Sequence, residues 1–260
     1  MSSPAPWPID SRLDIPLAQS TRSAAPQDGD SWRHTAQLLG LLRQSLTPSP
    51  RLLRPGDLVY RAGEHFTNLY ILNSGVYKIV DLAADGREHV AGLRFRGDWL
   101  GFDSIASGRY ICDVIALETG EVWALRYDAL LRSCTTDPRV LTTVHDAMSR
   151  EIARDRESLM SVCTLPAHAR VAEFLYHWSL SLATLGMRTD HIVLRMTRAE
   201  IGNNLGMTLE TVSRAMSKLA NAQVIAFTDK SRREITIPDL TALAEFVAKL
   251  CSAAANEMAA

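Results

Sequence analysis

The residues best suited to recognising another molecule lie in one segment, Met196–Leu219, which reads MTRAEIGNNLGMTLETVSRAMSKL. Within it, Glu210, Ser213 and Arg214 would share the outward face of a helix that begins near Thr208. An arginine can bond bidentately to O6 and N7 of guanine, and a glutamate can accept a hydrogen bond from N4 of cytosine. These residue types at this spacing therefore indicate that the helix reads base edges in the major groove of DNA.

Two short helices must position that face. Thr197 followed by Glu200 is a capping box, which satisfies the unpaired amides at a helix start. Gly206 can adopt the left-handed conformation that ends a helix, and Thr208 suits the N-cap of the next one. The inward stripe of the second helix would be Val212, Met216 and Leu219. Two short helices joined by a glycine turn of this length predict a helix-turn-helix.

A basic hairpin follows the second helix. Residues 224–227 and 234–237 can pair as two strands, and the tip between them, residues 229–233, reads DKSRR. Such a wing could reach the phosphates of a duplex. The candidates for phosphate contact are Thr197, Thr208, Thr211, Ser217, Lys218, Lys230, Arg232 and Arg233. Two alternatives stay open: Glu210 and Arg214 could form only a surface pair four residues apart, and the tip could be a solvated turn.

Charge supports nucleic-acid binding only locally. The 260 residues carry 28 Lys and Arg against 29 Asp and Glu, a formal net charge of −1. Between residues 165 and 240 there are nine Lys and Arg against seven Asp and Glu, a local charge of +2. Affinity for DNA would then depend on a few well-placed cations, each neutralised phosphate adding about 0.9 to the salt slope.

The N-terminal half has a different residue pattern. Residues 1–34 are rich in proline and polar residues, and we expect this segment to be disordered. From residue 35 to 136, short apolar runs alternate with turn signals such as Asn73-Ser74-Gly75 and Thr119-Gly120. Closely spaced short strands of this kind predict an antiparallel sandwich or barrel.

A long helix is predicted over residues 137–164. Its heptad-like seam consists of Leu141, Val144, Met148, Ile152, Asp155, Leu159 and Val162. A seam of this kind predicts a paired helix and hence a homodimer, and packing on its own domain is the alternative. Asp155 would face its own copy and repel it. We hypothesise that Arg154 of one chain pairs with Asp155 of the other, the alternative being a solvated Asp155.

No catalytic or metal-binding pattern is present. The four cysteines, Cys112, Cys134, Cys163 and Cys251, contain no CxxC pair, and we interpret them as small core residues. We find no nucleophile–base pair, phosphate loop or HExxH motif, so the sequence predicts a non-enzyme without a metal site. The sequence also has no signal peptide and no apolar run long enough for a membrane span, which indicates a cytoplasmic protein.

Over residues 50–240 the chain resembles the Crp/Fnr family of regulators, particularly the Fnr-like branch. The motifs LRPGDLVYRAGE, LYILNSGVYKI, GDWLGFDSIASG, ALETGEV and LRMTRAEIGNNLGMTLETVSR occur in the family's order. The resemblance implies an α+β fold with three parts. These are an antiparallel β jelly roll of the cyclic-nucleotide-binding type over 35–136, a dimerisation helix over 137–164, and a winged helix-turn-helix over 165–260.

The resemblance also implies partners. A homodimer would bind a TTGAT…ATCAA palindrome in double-stranded DNA, with Glu210 and Arg214 on the inner G·C pair and Ser213 on a neighbouring thymine. An activator of this kind would also have RNA polymerase as a partner, although the sequence does not locate that surface. The alternative is a ligand-binding module whose winged helix contacts a protein rather than DNA.

The chain departs from the family's sensing motifs. Oxygen-sensing members bind an iron–sulfur cluster through three N-terminal cysteines and one in the sheet domain, but here no cysteine precedes Cys112 and Trp123 aligns with the sheet-domain ligand. Members that bind cyclic AMP have Gly-Glu-Leu followed by Arg-Ser, but here Gly101-Phe102-Asp103 has no close Arg-Ser. Neither ligand is therefore predicted. His65, His89 and His145 leave haem open by residue type alone, and the effector stays unidentified.

Overall fold

A computed structural model describes residues 39–44, 46–82, 86, 88–183 and 187–259. The segment 1–34, for which disorder is predicted, and the side chain of Cys251 lie outside the described residues.

Two four-stranded antiparallel sheets form the N-terminal half. The first has the order β1-β8-β3-β6, with strands Ser49–Leu53, Gly120–Arg126, Asn68–Leu72 and Trp99–Leu100. The second has the order β2-β7-β4-β5, with strands Leu58–Tyr60, Asp113–Ala116, Tyr77–Leu82 and Glu88–Arg94. The predicted antiparallel strands of the N-terminal half are thereby confirmed, as is the mixed class of helix and sheet.

Strand β1 was not predicted, because Pro50 lies inside it. Proline removes a donor from a strand and is tolerated mainly at sheet edges. Here β1 is the edge strand of its sheet, with Pro50 opposite Trp123 of β8.

Among the described residues, three α-helices accompany these sheets. Residues 39–44 are helical (α1), α2 is Tyr127–Thr136 and α3 is Pro138–Thr164. Helix α3 begins where Asp137 accepts a hydrogen bond from the amide of Arg139, and it ends before Pro166, within a residue of the predicted bounds. Among the described residues, no helix is both long and apolar enough to cross a membrane.

The C-terminal part combines four helices and a small sheet. The helices are α4 Ala167–Ala183, α5 Arg198–Asn204, α6 Leu209–Asn221 and α7 Leu240–Ala259. The strands β9 His191–Val193, β10 Ala226–Phe227 and β11 Glu234–Thr236 form an antiparallel sheet in the order β10-β11-β9. The predicted hairpin is present as β10 and β11, and the apolar faces of α4, α5 and α6 share one core with it.

Candidate nucleic-acid interface

The helix-turn-helix is built on the predicted local signals. Thr197 accepts a hydrogen bond from the Glu200 amide at 3.1 Å, and the Glu200 carboxylate accepts one from the Thr197 amide at 2.8 Å. Gly206 has a φ of +63°, in the left-handed region. Thr208 then caps α6 by accepting from the Thr211 amide at 3.2 Å. The capping box, the glycine turn and the second cap are thus all confirmed.

Gly202 is a structural requirement that the sequence reasoning missed. A Cβ atom at this position would lie 2.5 Å from the Met207 carbonyl oxygen and 3.3 Å from Cγ2 of Val212. The missing side chain therefore lets the turn and α6 approach α5 closely. A helical glycine buried in a sequence otherwise typical of an amphipathic helix is the signal that could have revealed it.

Helix α6 has one buried face and one exposed face. Its buried residues are Val212, Ala215, Met216 and Leu219. Glu210, Ser213 and Arg214 are exposed, as their predicted role requires. Beside them runs an open groove of about 400 Å³, lined by Ser213, Arg214, Ser217, Lys218 and Asn221.

The environment of Glu210 favours the ionised carboxylate, which can only accept hydrogen bonds. Hydrogen bonds from its own amide and from the Thr208 hydroxyl lower its pKa, and the positive charge of Arg214 acts in the same direction. Glu210 is therefore ionised at neutral pH, the state needed to accept from a base amino group.

The candidates for phosphate contact fall into two groups. Lys230 and Arg233 are exposed, and their side chains make no hydrogen bond or ion pair with other described residues. The others have partners within the chain. Lys218 lies 3.3 Å from Nε2 of His168, and Arg232 donates to Ser217 at 3.4 Å. The hydroxyls of Thr197 and Thr208 serve as helix caps, the Thr211 hydroxyl bonds that of Thr208, and Ser217 donates to the Ser213 carbonyl.

Helix α5 is docked on the second sheet. Lys78 on β4 lies 2.5 Å from the Glu200 carboxylate. The side-chain amide of Asn203 accepts from the Val90 amide at 2.6 Å and donates to the Glu88 carbonyl at 3.1 Å, both on β5. Three side chains thus connect the sheet to the first helix of the helix-turn-helix.

Most of the predicted seam on α3 is exposed. Ile152 and Leu159 are 53% and 64% exposed, and Leu141, Val162 and Asp155 are exposed as well. Met148 is half-buried, and Val144 packs against the core under the first sheet. The exposed part of this stripe, which no other described residue covers, is suited to pairing with a second copy.

Arg154 has partners within its own chain. It donates to Asp98 at 2.7 Å and to Glu151 at 3.3 Å. The hypothesised bond between Arg154 and Asp155 of the other chain would have to displace these contacts, so this arrangement disfavours it.

The interior of the jelly roll is filled by aromatic rings. Tyr60 stacks on Tyr110 with 4.0 Å between ring centroids. The Asp103 carboxylate approaches Cys112 at 3.8 Å, and the Arg109 guanidinium donates to the Gly63 carbonyl at the surface. A carboxylate at this point would repel the phosphate of a cyclic nucleotide, so these residues do not fit that ligand.

The described cysteines are dispersed. Cys112 is buried just before β7, and Cys134 is half-buried on α2, where it packs against the core under the first sheet. Cys163 is exposed on α3, so among the described cysteines the core interpretation fails for Cys163. Burial and then the Asp103 charge raise the pKa of Cys112 to about 12, which keeps it a neutral thiol. Within the described ranges, no three His, Cys, Asp or Glu side chains are grouped to hold a metal ion. The three candidate haem ligands, His65, His89 and His145, are exposed.

Comparison with known families agrees with this architecture. Residues 50–137 match the cyclic nucleotide-binding domain, and residues 169–246 match the Crp-like helix-turn-helix domain. The chain is 32% identical over 193 residues to the fumarate and nitrate reduction regulatory protein of Escherichia coli K12, covering 74% of this chain and 76% of that protein. It is 31% identical over 193 residues to the anaerobic regulatory protein of Pasteurella multocida, covering 74% and 70%.

Solved structures share the fold. FixK2 from Bradyrhizobium japonicum superposes with a TM-score of 0.67 at 24% identity, covering 77% of this chain and 97% of that one. TTHB099, a CRP-family transcriptional regulator from Thermus thermophilus, gives a TM-score of 0.62 at 21% identity, covering 76% and 96%. Taken with the helix-turn-helix geometry and the two family matches, these relatives show that the chain belongs to the Crp/Fnr family of DNA-binding transcription regulators.

Proposed function

We propose that the protein is a homodimer that binds a TTGAT…ATCAA palindrome, with Glu210, Ser213 and Arg214 reading the bases. The observation that carries this proposal is the exposed face of α6, where an ionised carboxylate and a guanidinium lie one helical turn apart. At a G·C pair, the guanidinium would donate to O6 and N7 of guanine, and the carboxylate would accept from N4 of cytosine.

The exposed stripe of α3 supports the dimer. Ile152 and Leu159 offer apolar surface that a second α3 would bury, and burial of such surface favours association. A two-fold axis along the paired helices would place the two α6 helices about 34 Å apart, on successive major grooves.

Fluorescence anisotropy with a labelled TTGAT…ATCAA duplex tests base reading. Arg214→Ala should weaken binding at least tenfold, since it removes a bidentate contact to guanine worth about 1–3 kcal/mol from each half of the dimer. Arg188→Ala is the matched control: it removes an equally exposed arginine, paired with Asp190 away from α6, and should leave the affinity unchanged. If the wild type prefers this duplex no more than a scrambled one, the proposed palindrome is wrong.

Sedimentation velocity tests the dimer. Leu159→Asp should shift the protein towards monomer, because it places a carboxylate in the apolar seam. Leu82→Asp, at an exposed position on β4, should leave the sedimentation coefficient unchanged. A monomeric wild type, or equal behaviour of the two variants, would contradict dimerisation through α3.

The sensor half and the cysteines bear on which effector the regulator requires. We infer a non-catalytic regulator of the cytoplasm whose DNA binding requires neither cyclic AMP nor an iron–sulfur cluster. The stacked tyrosines and the dispersed cysteines support this inference. RNA polymerase is the further partner that an activator would contact. Absorption spectra and native mass spectrometry of protein purified without oxygen test this inference. A bound iron–sulfur cluster would contradict it, and the same spectra would show whether haem is bound.

A further inference from the structure

Two arginines share one aromatic ring between the wing and the helix-turn-helix. The Arg198 and Arg232 guanidinium carbons lie 5.9 Å and 5.2 Å from the centroid of the Phe227 ring. Arg198 also donates through Nη2 to the Arg232 backbone carbonyl at 2.6 Å. These three residues, which we name the arginine stack, join the start of α5, strand β10 and the wing turn.

The backbone of the wing turn fixes Arg232 in an unusual conformation. Its φ is +55°, in the left-handed region that residues other than glycine and asparagine rarely adopt. The Arg232 amide donates to the Asp229 carbonyl at 3.2 Å, and the Asp229 carboxylate accepts from the Ser231 and Glu234 amides at 3.0 and 2.9 Å. The turn therefore directs the Arg232 side chain independently of any ligand.

That side chain points to the recognition helix. Nη1 of Arg232 lies 3.4 Å from the Ser217 hydroxyl, which in turn donates to the Ser213 carbonyl at 3.0 Å. A continuous series of contacts thus leads from the wing to a base-reading position on α6. All three cations of this turn are exposed, but Lys230 and Arg233 have no such partner among the described residues.

We propose that Arg232 is a positioning residue for base reading and that it does not serve as a phosphate contact. Through the arginine stack and Ser217, Arg232 fixes the position of the wing relative to α6. Lys230 and Arg233 of the same turn supply the positive charge that contacts the phosphate backbone of the DNA. This inference rests on the proposed DNA-binding function. It separates two roles within one short basic sequence.

A flat guanidinium can stack on a ring and reach Ser217 at once, whereas an ammonium keeps the charge without that geometry. A lysine would therefore replace an arginine that contacts phosphate but not one that positions Ser217. The environment of Arg198 agrees with a packed role: burial and the neighbouring charge of Arg232 lower its pKa, and its Nη1 is buried without a partner among the described residues.

The test compares Arg232→Lys with Arg233→Lys, using anisotropy titrations on the palindromic duplex and on one with its inner G·C pair replaced. We expect Arg232→Lys to lose several-fold of the preference for the correct duplex while the salt slope stays unchanged. Arg233→Lys should keep both. Arg233→Ala should reduce the slope by about 0.9 per protomer, which calibrates the assay.

Phe227→Leu provides a second approach, because it keeps an apolar side chain but removes the ring. It should reproduce the loss of preference seen with Arg232→Lys, and circular dichroism should show native helix content in each variant. Full preference and affinity in Arg232→Lys would overturn the inference. The inference would also be overturned if Arg232→Ala kept the base preference and reduced the salt slope by as much as Arg233→Ala does. Wild-type protein that ignores the palindrome would instead overturn the proposed function.

Discussion

The ammonium of Lys78 and the carboxylate of Glu200 meet at 2.5 Å, although 122 residues separate them in the chain. Lys78 belongs to a strand of the N-terminal sheets, and Glu200 belongs to the capping box of α5. One carboxylate therefore both starts the first helix of the helix-turn-helix and attaches that helix to the sheet. Separation of α5 from the sheet would break this bond.

Removal of the lysine should destabilise the chain. We expect Lys78→Met to lower the free energy of unfolding by about 1 kcal/mol, because a half-buried charged hydrogen bond is lost. Urea titration followed by circular dichroism measures the change. Lys249→Met, which breaks an exposed pair with Glu245 at 4.0 Å, should change stability by less than about 0.5 kcal/mol. Equal effects of the two substitutions would contradict the importance of the contact.

The same carboxylate predicts a dependence on pH. Burial raises the pKa of Glu200, but hydrogen bonds from Lys78 and Thr197 outweigh burial and hold it below its usual value. Because the folded pKa is the lower one, the stabilisation is fully present above the unfolded pKa of about 4.3 and is lost as pH falls through the folded value. The difference in unfolding free energy between wild type and Glu200→Gln should therefore be constant near neutrality and shrink below about pH 4. A difference that persists unchanged at lower pH would refute this.

His168 should report on its neighbour Lys218. Burial and then the charge of Lys218 lower the pKa of His168. Lys218→Met removes the charge, so the pKa of His168 should rise towards about 6.5, as measured by NMR titration of the ring protons. Lys230→Met removes an equal charge from the wing and should leave that pKa in place. An unchanged pKa in Lys218→Met would mean that burial alone sets it.

Gly202→Ala should destabilise the helix-turn-helix in spite of alanine's higher helix propensity. The new Cβ would lie 2.5 Å from the Met207 carbonyl oxygen, and overpacking of this kind costs about 1–3 kcal/mol. Gly40→Ala is the matched control, since no described residue lies within 4 Å of the Cβ added to this helical glycine, and it should gain up to about 1 kcal/mol. Thermal unfolding distinguishes them. Stabilisation by both substitutions would show that the close approach at Gly202 is absent.

The parts of the site that follow local rules could be predicted from the sequence. The capping box at Thr197, the left-handed turn at Gly206 and the cap at Thr208 each depend on residues within four positions of one another. The exposed face of α6 follows from helical periodicity in the same way. These signals need no knowledge of the rest of the chain.

The remaining features depend on contacts between distant segments. The attachment of Lys78 to Glu200 and the clearance at Gly202 arise only when separate elements pack together. The exposed Arg232 side chain reaches Ser217 from a left-handed backbone that its residue type does not favour. A basic sequence such as DKSRR indicates charge, but it does not show which cation points where.

Strand β5 is the last of its sheet, and Asn203 occupies the Val90 amide and the Glu88 carbonyl on it. Uncovered backbone along the last strand of a sheet is a template on which another polypeptide can add a strand. Separation of α5 from β5 would expose the Val90 amide and the Glu88 carbonyl. The docked helix therefore also prevents strand addition at this edge, which would lead to self-association. A regulatory rearrangement at this contact would thus carry an aggregation hazard, which limits how long the separated form can persist at high concentration.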